Sequence, residues 1–489
     1  VTFLRVCLAL QALLLCFRLD LLDLWTDELF TLQTVMLPVP QILRTVQGDI
    51  HPPLYYLLQH FWLHVPLPLS PIVQLRLLSV AFALAATVAL DKLWGPRLPA
   101  RWRPWLVALW AASPCVVLYG RMARSYSLQV LVVLIAVYWG ARFLADPSRR
   151  NLLWFAAGLS LSFYTHYVPG LALAGAAAGA LLWRRRAVDL VKLGALVLIA
   201  YLPWVWVMAE SIGKWASSGS PYALTGGAVT ELALKAAFAT VSFGLGESLP
   251  AWALALGLLL LPAALWLLWT GVRRERDIAH WVAAMGAVGF LGVAGWVSYP
   301  FLPARLLFLL PFLLLLVATG CAERPRVGRP FAIAMLALWA VGLWGYFHKS
   351  DYLNKGYAIP FAEIAARIEA DEPADESLVL CDTLNTDSAV LRYYLDPKRR
   401  MQWIGGADTP QVAAQAIADP AVRAVWLVRN QHDISPDGVN SQAEAELAHA
   451  FRAEPHPYLP LSGFEQRLAR AVAGHDPPRY FYTVTRFRR

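Results

Sequence analysis

Two adjacent acids, Asp27 and Glu28, stand in WTDE just after the first apolar run, and Asp49 and His51 follow in GDIHPP. A carboxylate so placed can take a proton from an incoming hydroxyl or amine. Further along, arginines punctuate apolar stretches: Arg76 in LRLLS, Arg121 and Arg124 in GRMARSYSL, and Arg305 in ARLLFLL, with His166 in YTHY. The planar guanidinium fork donates two parallel hydrogen bonds to a phosphate. Acids and imidazoles beside several arginines therefore suit chemistry on a phosphate ester, if the fold brings them together. Asp49, His51 and His166 are also candidates to hold a divalent metal ion, although their separations make no ligand signature.

The elements that must position these residues are hydrophobic. Of 489 residues 58% are hydrophobic and 15% charged, where a soluble domain carries roughly 25% charged. This composition is that of a polytopic membrane protein. Apolar runs cover 3–20, 71–93, 104–119, 125–144, 151–166, 167–184, 188–208, 250–271, 279–298, 302–319 and 330–347. The first lacks a small-x-small cleavage site and reads as a retained span. The +9 net charge is no nucleic-acid signal, because the excess lies in short loops between runs, where it sets topology. The basic loops at 92–103, 142–150, 184–192, 273–276 and 324–329 alternate with poor ones. All five can be cytoplasmic, with the N-terminus inside and the segment after 347 outside.

The stretch 53–69 would break this alternation if it crossed, so it is expected to be an interfacial or re-entrant helix in an outer loop at 20–70. The stretch 231–247 is ambiguous in the same way. The expected fold is a mainly α membrane bundle of about eleven spans, or thirteen if both insert. The five cysteines suggest no disulfide framework or zinc site.

Composition divides the chain into 1–348, the membrane domain, and 349–489, a small α/β domain on the outer side. In the latter, ESLVLCDTLNTDSAVLRYYL, AVRAVWLVRN and RYFYTVTRFRR read as strand-like, with helical stretches at 361–370 and 442–453. Its acids Asp382, Asp387 and Asp433 read as strand-end loop residues.

This topology gathers Asp27, Glu28, Asp49, His51, Arg76, Arg121, Arg124, His166 and Arg305 at the outer membrane boundary, where charges face a cavity or a partner. Singly, each has a plainer reading. The acid pair suits a solvated loop, Pro52-Pro53 a helix start, and the histidines a membrane boundary. Arg76 and Arg305 suit snorkelling anchors, and Tyr55, Tyr56 and Trp62 an interface belt. Co-location on one side is what favours chemistry.

The motifs WTDE, GDIHPPLYYLLQHFW, LRLLS, RSYSL, YTHY and ARLLFLLPFLLLLVA stand in the order and spacing of a known family. Over roughly residues 1–320 the chain resembles the C-type glycosyltransferases that use lipid-phosphate sugars, the group holding the protein O-mannosyltransferases and the lipid A aminoarabinose transferases. No such motif covers the segment after 350. The resemblance implies a polyprenyl-phosphate sugar donor and a helix bundle whose outer-loop helices roof a shared cavity. It implies Asp27 as catalytic base within the pair Asp27-Glu28, and Asp49 and His51 near the donor phosphate or a divalent ion. Arg76 and Arg305 would then pair with the lipid phosphate.

The expected reaction is attack of an acceptor hydroxyl or amine on the anomeric carbon, with inversion and departure of polyprenyl phosphate. Arg76, Arg124 and Arg305 would stabilise the leaving charge. No nucleotide-binding glycine loop is present, as a lipid donor requires none. The acceptor is a glycan, a lipid or a protein, and the location the cytoplasmic membrane. A transporter of a lipid-linked sugar is the competing reading. It would show internal repeats, and no half-to-half repeat stands out. A non-catalytic assembly partner, working through the outer domain, is a third.

Overall fold

The computed structural model describes residues 2–49, 51–208, 227–296, 303–381, 387–404, 409–430, 439–473 and 479–489. Asp382, Asp433 and the ends of the runs expected at 279–298 and 302–319 lie outside them. The chain forms two compact units, Val1–Leu19 with Thr31–Asp351, and Asp20–Phe30 with Tyr352–Arg489. The second is therefore discontinuous in sequence.

The first unit is helical, because an apolar run in hydrocarbon can satisfy its backbone groups internally only as a helix. Six helices among the described residues are long and apolar enough to cross a membrane: Pro71–Arg97, Tyr126–Ala145, Ala187–Val207, Ala251–Arg274, Pro303–Glu323 and Pro325–Phe347. Shorter apolar helices run over Phe3–Cys16, Tyr167–Trp183 and Leu232–Leu245.

The elements that matter for the site are α1 (Thr2–Cys16), α2 (Thr26–Val35), α3 (Val39–Gln47), α4 (Leu54–Leu63), α5 (Pro71–Ala89), α6 (Arg103–Ala112), α7 (Pro114–Gly120), α8 (Tyr126–Ala145), α9 (Arg149–Thr165) and α10 (Tyr167–Trp183). Serines set several of their starts. Ser70 accepts from Val73 N at 3.3 Å, with Pro71 at the first position of α5. Ser148 does the same for α9 through Asn151 N at 3.4 Å. The run expected to be continuous over 104–119 is broken. Ser113 is extended, at φ −61 and ψ 122, because Pro114 disfavours a helical residue before it, and α6 and α7 result. Helix α4 has 10 residues and so spans about 15 Å, half of a hydrocarbon core of about 30 Å.

Helix packing is closest where glycines face backbone. A Cβ added at Gly271 would lie 1.9 Å from Leu316 O, and one at Gly320 would lie 1.9 Å from Leu267 O. Each glycine thus lets the helices Ala251–Arg274 and Leu310–Glu323 meet backbone to backbone, as small residues do between spans.

The second unit carries a five-stranded sheet of order β2-β1-β3-β5-β4, with β1 Ser377–Cys381, β2 Arg400–Trp403, β3 Ala424–Asn430, β4 Arg452–Pro460 and β5 Tyr480–Arg488. β1 pairs in parallel with β2 and β3, and β5 runs antiparallel to β3 and β4. β1 and β3 are buried while β2 at the sheet edge is largely exposed, and the parallel connections include helices at Asp387–Tyr394 and Thr409–Ala418, as parallel pairing demands. The stretch expected to be strand-like after Cys381 is therefore helical from Asp387, whose Val390 and Leu391 are buried on one face. Edge strand β4 carries Pro455, Pro457 and Pro460, which cannot donate to a further strand.

The N-terminal piece of this unit is held by specific bonds. Asp23 Oδ2 accepts from Ala362 N at 2.8 Å, where a free N–H of the helix Phe361–Asp371 favours a carboxylate. Leu24 N donates to the Tyr394 hydroxyl at 3.0 Å, and the Trp25 and Tyr357 rings meet edge to face at 5.2 Å.

Candidate functional site

Arg124 lies in the non-helical turn between α7 and α8 and is buried. Its Nη1 donates to Thr31 Oγ1 at 3.1 Å and to the Tyr56 hydroxyl at 3.2 Å, and its Nη2 meets His51 Nε2 at 2.9 Å. A guanidinium can only donate, so His51 Nε2 accepts. Its Nδ1 then carries the proton and donates to Asp49 Oδ2 at 2.9 Å. One chain of hydrogen bonds thus links Asp49, His51 and Arg124, anchored on α2 and α4.

A second layer fixes the first. The Tyr55 hydroxyl lies 2.7 Å from Ser79 Oγ, and Gln59 Nε2 donates to Tyr55 and to Leu75 O, both at 2.7 Å. Ser79 donates to the carbonyl of Arg124 at 3.3 Å. Gln74 Nε2 donates to Val65 O at 2.8 Å, and Trp62 Nε1 to Gln74 O at 2.7 Å. Helix α4 is thus fastened to α5 by polar bonds. Tyr55 and Tyr56, expected in an interface belt, are instead buried at 2% exposure.

His166 ends α9 and caps α10. Its ring stands edge to face with that of His51, centroids 5.4 Å apart, and Arg124, Arg305 and Asp49 all act on it electrostatically. Arg305 is buried in the short helix Pro303–Leu309, where Ala304 O accepts from Gln129 Nε2 at 2.7 Å. Two guanidiniums and one carboxylate around these imidazoles make a local balance that favours an anion.

The remaining expected residues are placed as follows. Arg76, buried in α5, donates to Leu19 O at 2.9 Å and precedes Ser79 by one helical turn. Asp27 and Glu28 open α2 in its first turn, Asp27 half-buried and Glu28 buried, where carboxylates suit the helix dipole. Both fall in the second compact unit. Asp49, His51 and His166 come together, but among the described residues no three His, Cys, Asp or Glu side chains gather as a metal-ligand group. The neighbouring Arg121 is bound otherwise. It donates to the carbonyls of Leu14, Phe17 and Arg18 at the end of α1 and covers the rings of Tyr346 and Phe347.

Sequence reasoning missed Thr31, Tyr56 and Glu247. Thr31 carried a usable signal, since it follows Asp27 by one helical turn. Glu247 is buried after the helix Gly227–Leu245 and accepts from Ser242 Oγ at 2.6 Å and from Tyr119, the residue before the last in α7. Burial raises its pKa, against the lowering effect of the Ser242 and Tyr119 bonds.

No family model matches the chain, and no curated protein matches it by sequence. Solved structures match its fold. The apo structure of ArnT from Cupriavidus metallidurans superposes with a TM-score of 0.57 over 99% of this chain and 97% of that one, at 14% identity. The same protein bound to undecaprenyl phosphate gives 0.53 over the same shares, at 14% identity. The present chain has the fold of ArnT.

Proposed function

We propose that this chain, built on the C-type glycosyltransferase fold, transfers a sugar from a polyprenyl-phosphate donor to an acceptor hydroxyl or amine at the outer face of the cytoplasmic membrane. The observation that carries the reading is the hydrogen-bonded chain Asp49–His51–Arg124, buried at His51 and Arg124, with Thr31 of α2 at its far end. A buried guanidinium held in place by hydroxyl and imidazole partners, with Arg305 also acting on the neighbouring His166, suits a phosphate that must enter and leave. ArnT, of the same fold, is bound to undecaprenyl phosphate in one structure.

In this reading Asp27, one turn before Thr31 on α2, removes the acceptor proton, with Glu28 beside it. The acceptor oxygen or nitrogen bonds to the anomeric carbon from the face opposite the phosphate. The bond from carbon to the phosphate oxygen breaks, and its electron pair leaves with polyprenyl phosphate. Arg124, Arg76 and Arg305 stabilise that charge. Asp49 and His51 hold Arg124 in place. The chain is oriented with its N-terminus in the cytoplasm.

The test is reconstituted protein given a labelled polyprenyl-phosphate sugar and envelope extracts as acceptor. Wild type should release polyprenyl phosphate, and Asp27→Asn should slow release by about 10²- to 10⁴-fold, the usual weight of a general base. Full activity in Asp27→Asn sinks the mechanism. Donor that crosses the bilayer unconsumed identifies a transporter instead.

A further inference from the structure

Among the buried polar atoms of the cluster, His166 Nε2 has no hydrogen-bond partner among the described residues, although the residue is 4% exposed. Its other nitrogen is occupied. As N-cap of α10, His166 accepts from Val168 N at Nδ1, at 3.2 Å. A nitrogen that accepts a backbone N–H carries a lone pair, so the neutral ring keeps its proton on Nε2. The fold thus presents one buried N–H donor, unmatched, beside His51 and within the field of Arg124 and Arg305. Leaving such a donor unpaired is costly, and a site that holds one is complementary to an acceptor brought by a ligand.

We infer that His166 donates its Nε2–H to a phosphate oxygen of the lipid-linked donor, and that it does so as a neutral, tautomer-fixed donor and not as a metal ligand. The inference rests on the function proposed above. Two features oppose metal ligation. The Nε2 lone pair that a metal needs is taken by the proton while the cap holds, and two guanidiniums nearby repel a cation. The same guanidiniums attract a phosphate and would place its oxygens beside His166. The neutral donor then adds direction to their charge, since one N–H fixes one oxygen whereas charge alone does not.

The experiment is equilibrium binding of undecaprenyl phosphate, the uncharged polyprenol and inorganic phosphate to the full chain in detergent, with and without chelator. His166→Asn keeps an acceptor for Val168 N but has no donor at the Nε2 position. It should melt with wild type, bind undecaprenyl phosphate about tenfold to hundredfold more weakly, and bind polyprenol unchanged. His166→Gln, whose amide nitrogen reaches toward Nε2, should recover part of the loss. Should the Asn variant not fold, the Gln variant decides: affinity within about threefold of wild type supports the role, and lost affinity in a folded Gln protein overturns it. Undiminished affinity in folded His166→Asn also overturns it. So does wild-type binding that chelator removes and zinc restores. Inorganic phosphate bound as tightly as the lipid would assign the donor to a free anion and overturn the lipid assignment. Wild type that fails to prefer undecaprenyl phosphate over polyprenol overturns the lipid-phosphate reading itself, an outcome distinct from the others.

Discussion

The two ends of α5 fasten arginine differently. Beyond its C-terminal end, where a π-helical turn spans Leu90–Trp94, Arg103 forks onto Asp91 at 2.6 and 2.5 Å, and Arg97 meets Glu275 at 2.5 Å and Asp277 at 2.8 Å. Each of these guanidiniums faces carboxylate. At the N-terminal end, Arg124 donates to hydroxyls and an imidazole, Arg121 to three carbonyls and Arg76 to a carbonyl. Opposite charge joins elements at one end, while at the other the guanidiniums also reach hydroxyls, an imidazole and backbone carbonyls, beside the carboxylate of Asp49. One end is thus built for shape, and the other houses the proposed phosphate site.

That contrast can be broken by substitution. The largest effect should come from Arg124→Ala, which removes a positioned donor: transfer per folded molecule falls by about 10²- to 10³-fold, a larger change than its loss of stability. A large fall in stability with unchanged activity per folded molecule would erase the distinction between the two ends. Arg121→Ala should do the reverse. It uncaps the carbonyls ending α1 and should cost about 2–4 kcal/mol of stability, as loss of a buried multi-bond partner does, with polyprenyl-phosphate affinity of the folded fraction retained.

Asp91→Asn comes next. Its buried carboxylate serves an Arg103 that is one-third exposed, so the loss, read as a shift in denaturation midpoint, should be about 1–2 kcal/mol. Arg97→Ala, at a wetter pair, should cost about 0.5 kcal/mol and less as salt rises. A salt-insensitive loss there would mean that its stacking on Trp94, at 5.7 Å, dominates.

The matched kind recurs in the second unit, where Arg399 holds Glu369 at 2.7 Å. Burial raises the Glu369 pKa, but the bonds from Arg399 and the Asp396 N–H outweigh it and hold the carboxyl below its ordinary value. A depressed folded value stabilises above the unfolded one and fades as pH falls through it. The unit should therefore lose stability below about pH 4.3, the ordinary glutamate range. In Glu369→Gln that part of the acid slope should disappear, as monitored by circular dichroism.

Much of the membrane fold was legible because its signal is local: a run of apolar residues, a basic loop, a helix-starting serine. The candidate residues His51, Arg124, His166 and Arg305 were legible for a related reason, since charge within an apolar chain must be accommodated by something. Tyr56 was not, because a tyrosine in an apolar run suits an interface belt equally well, and only the neighbourhood of Arg124 distinguishes the two. Pro114 was misjudged within a span, although its effect on Ser113 is purely local. The cap that Asp23 provides to the helix Phe361–Asp371 is of another kind. Its partners are 339 positions apart, and no periodicity in a single chain links such residues.

That long-range bond has a consequence for how the protein is made. The segment Asp20–Phe30, which carries Asp27 and Glu28, leaves the ribosome more than 300 residues before its companions in the same compact unit, which begin at Tyr352. Such distant contacts are therefore closed late, after the intervening spans have been threaded, and contacts of high separation form slowly. Two fragments divided near residue 350 would each hold only part of that unit. The candidate base would then acquire its final surroundings only by association between separate chains.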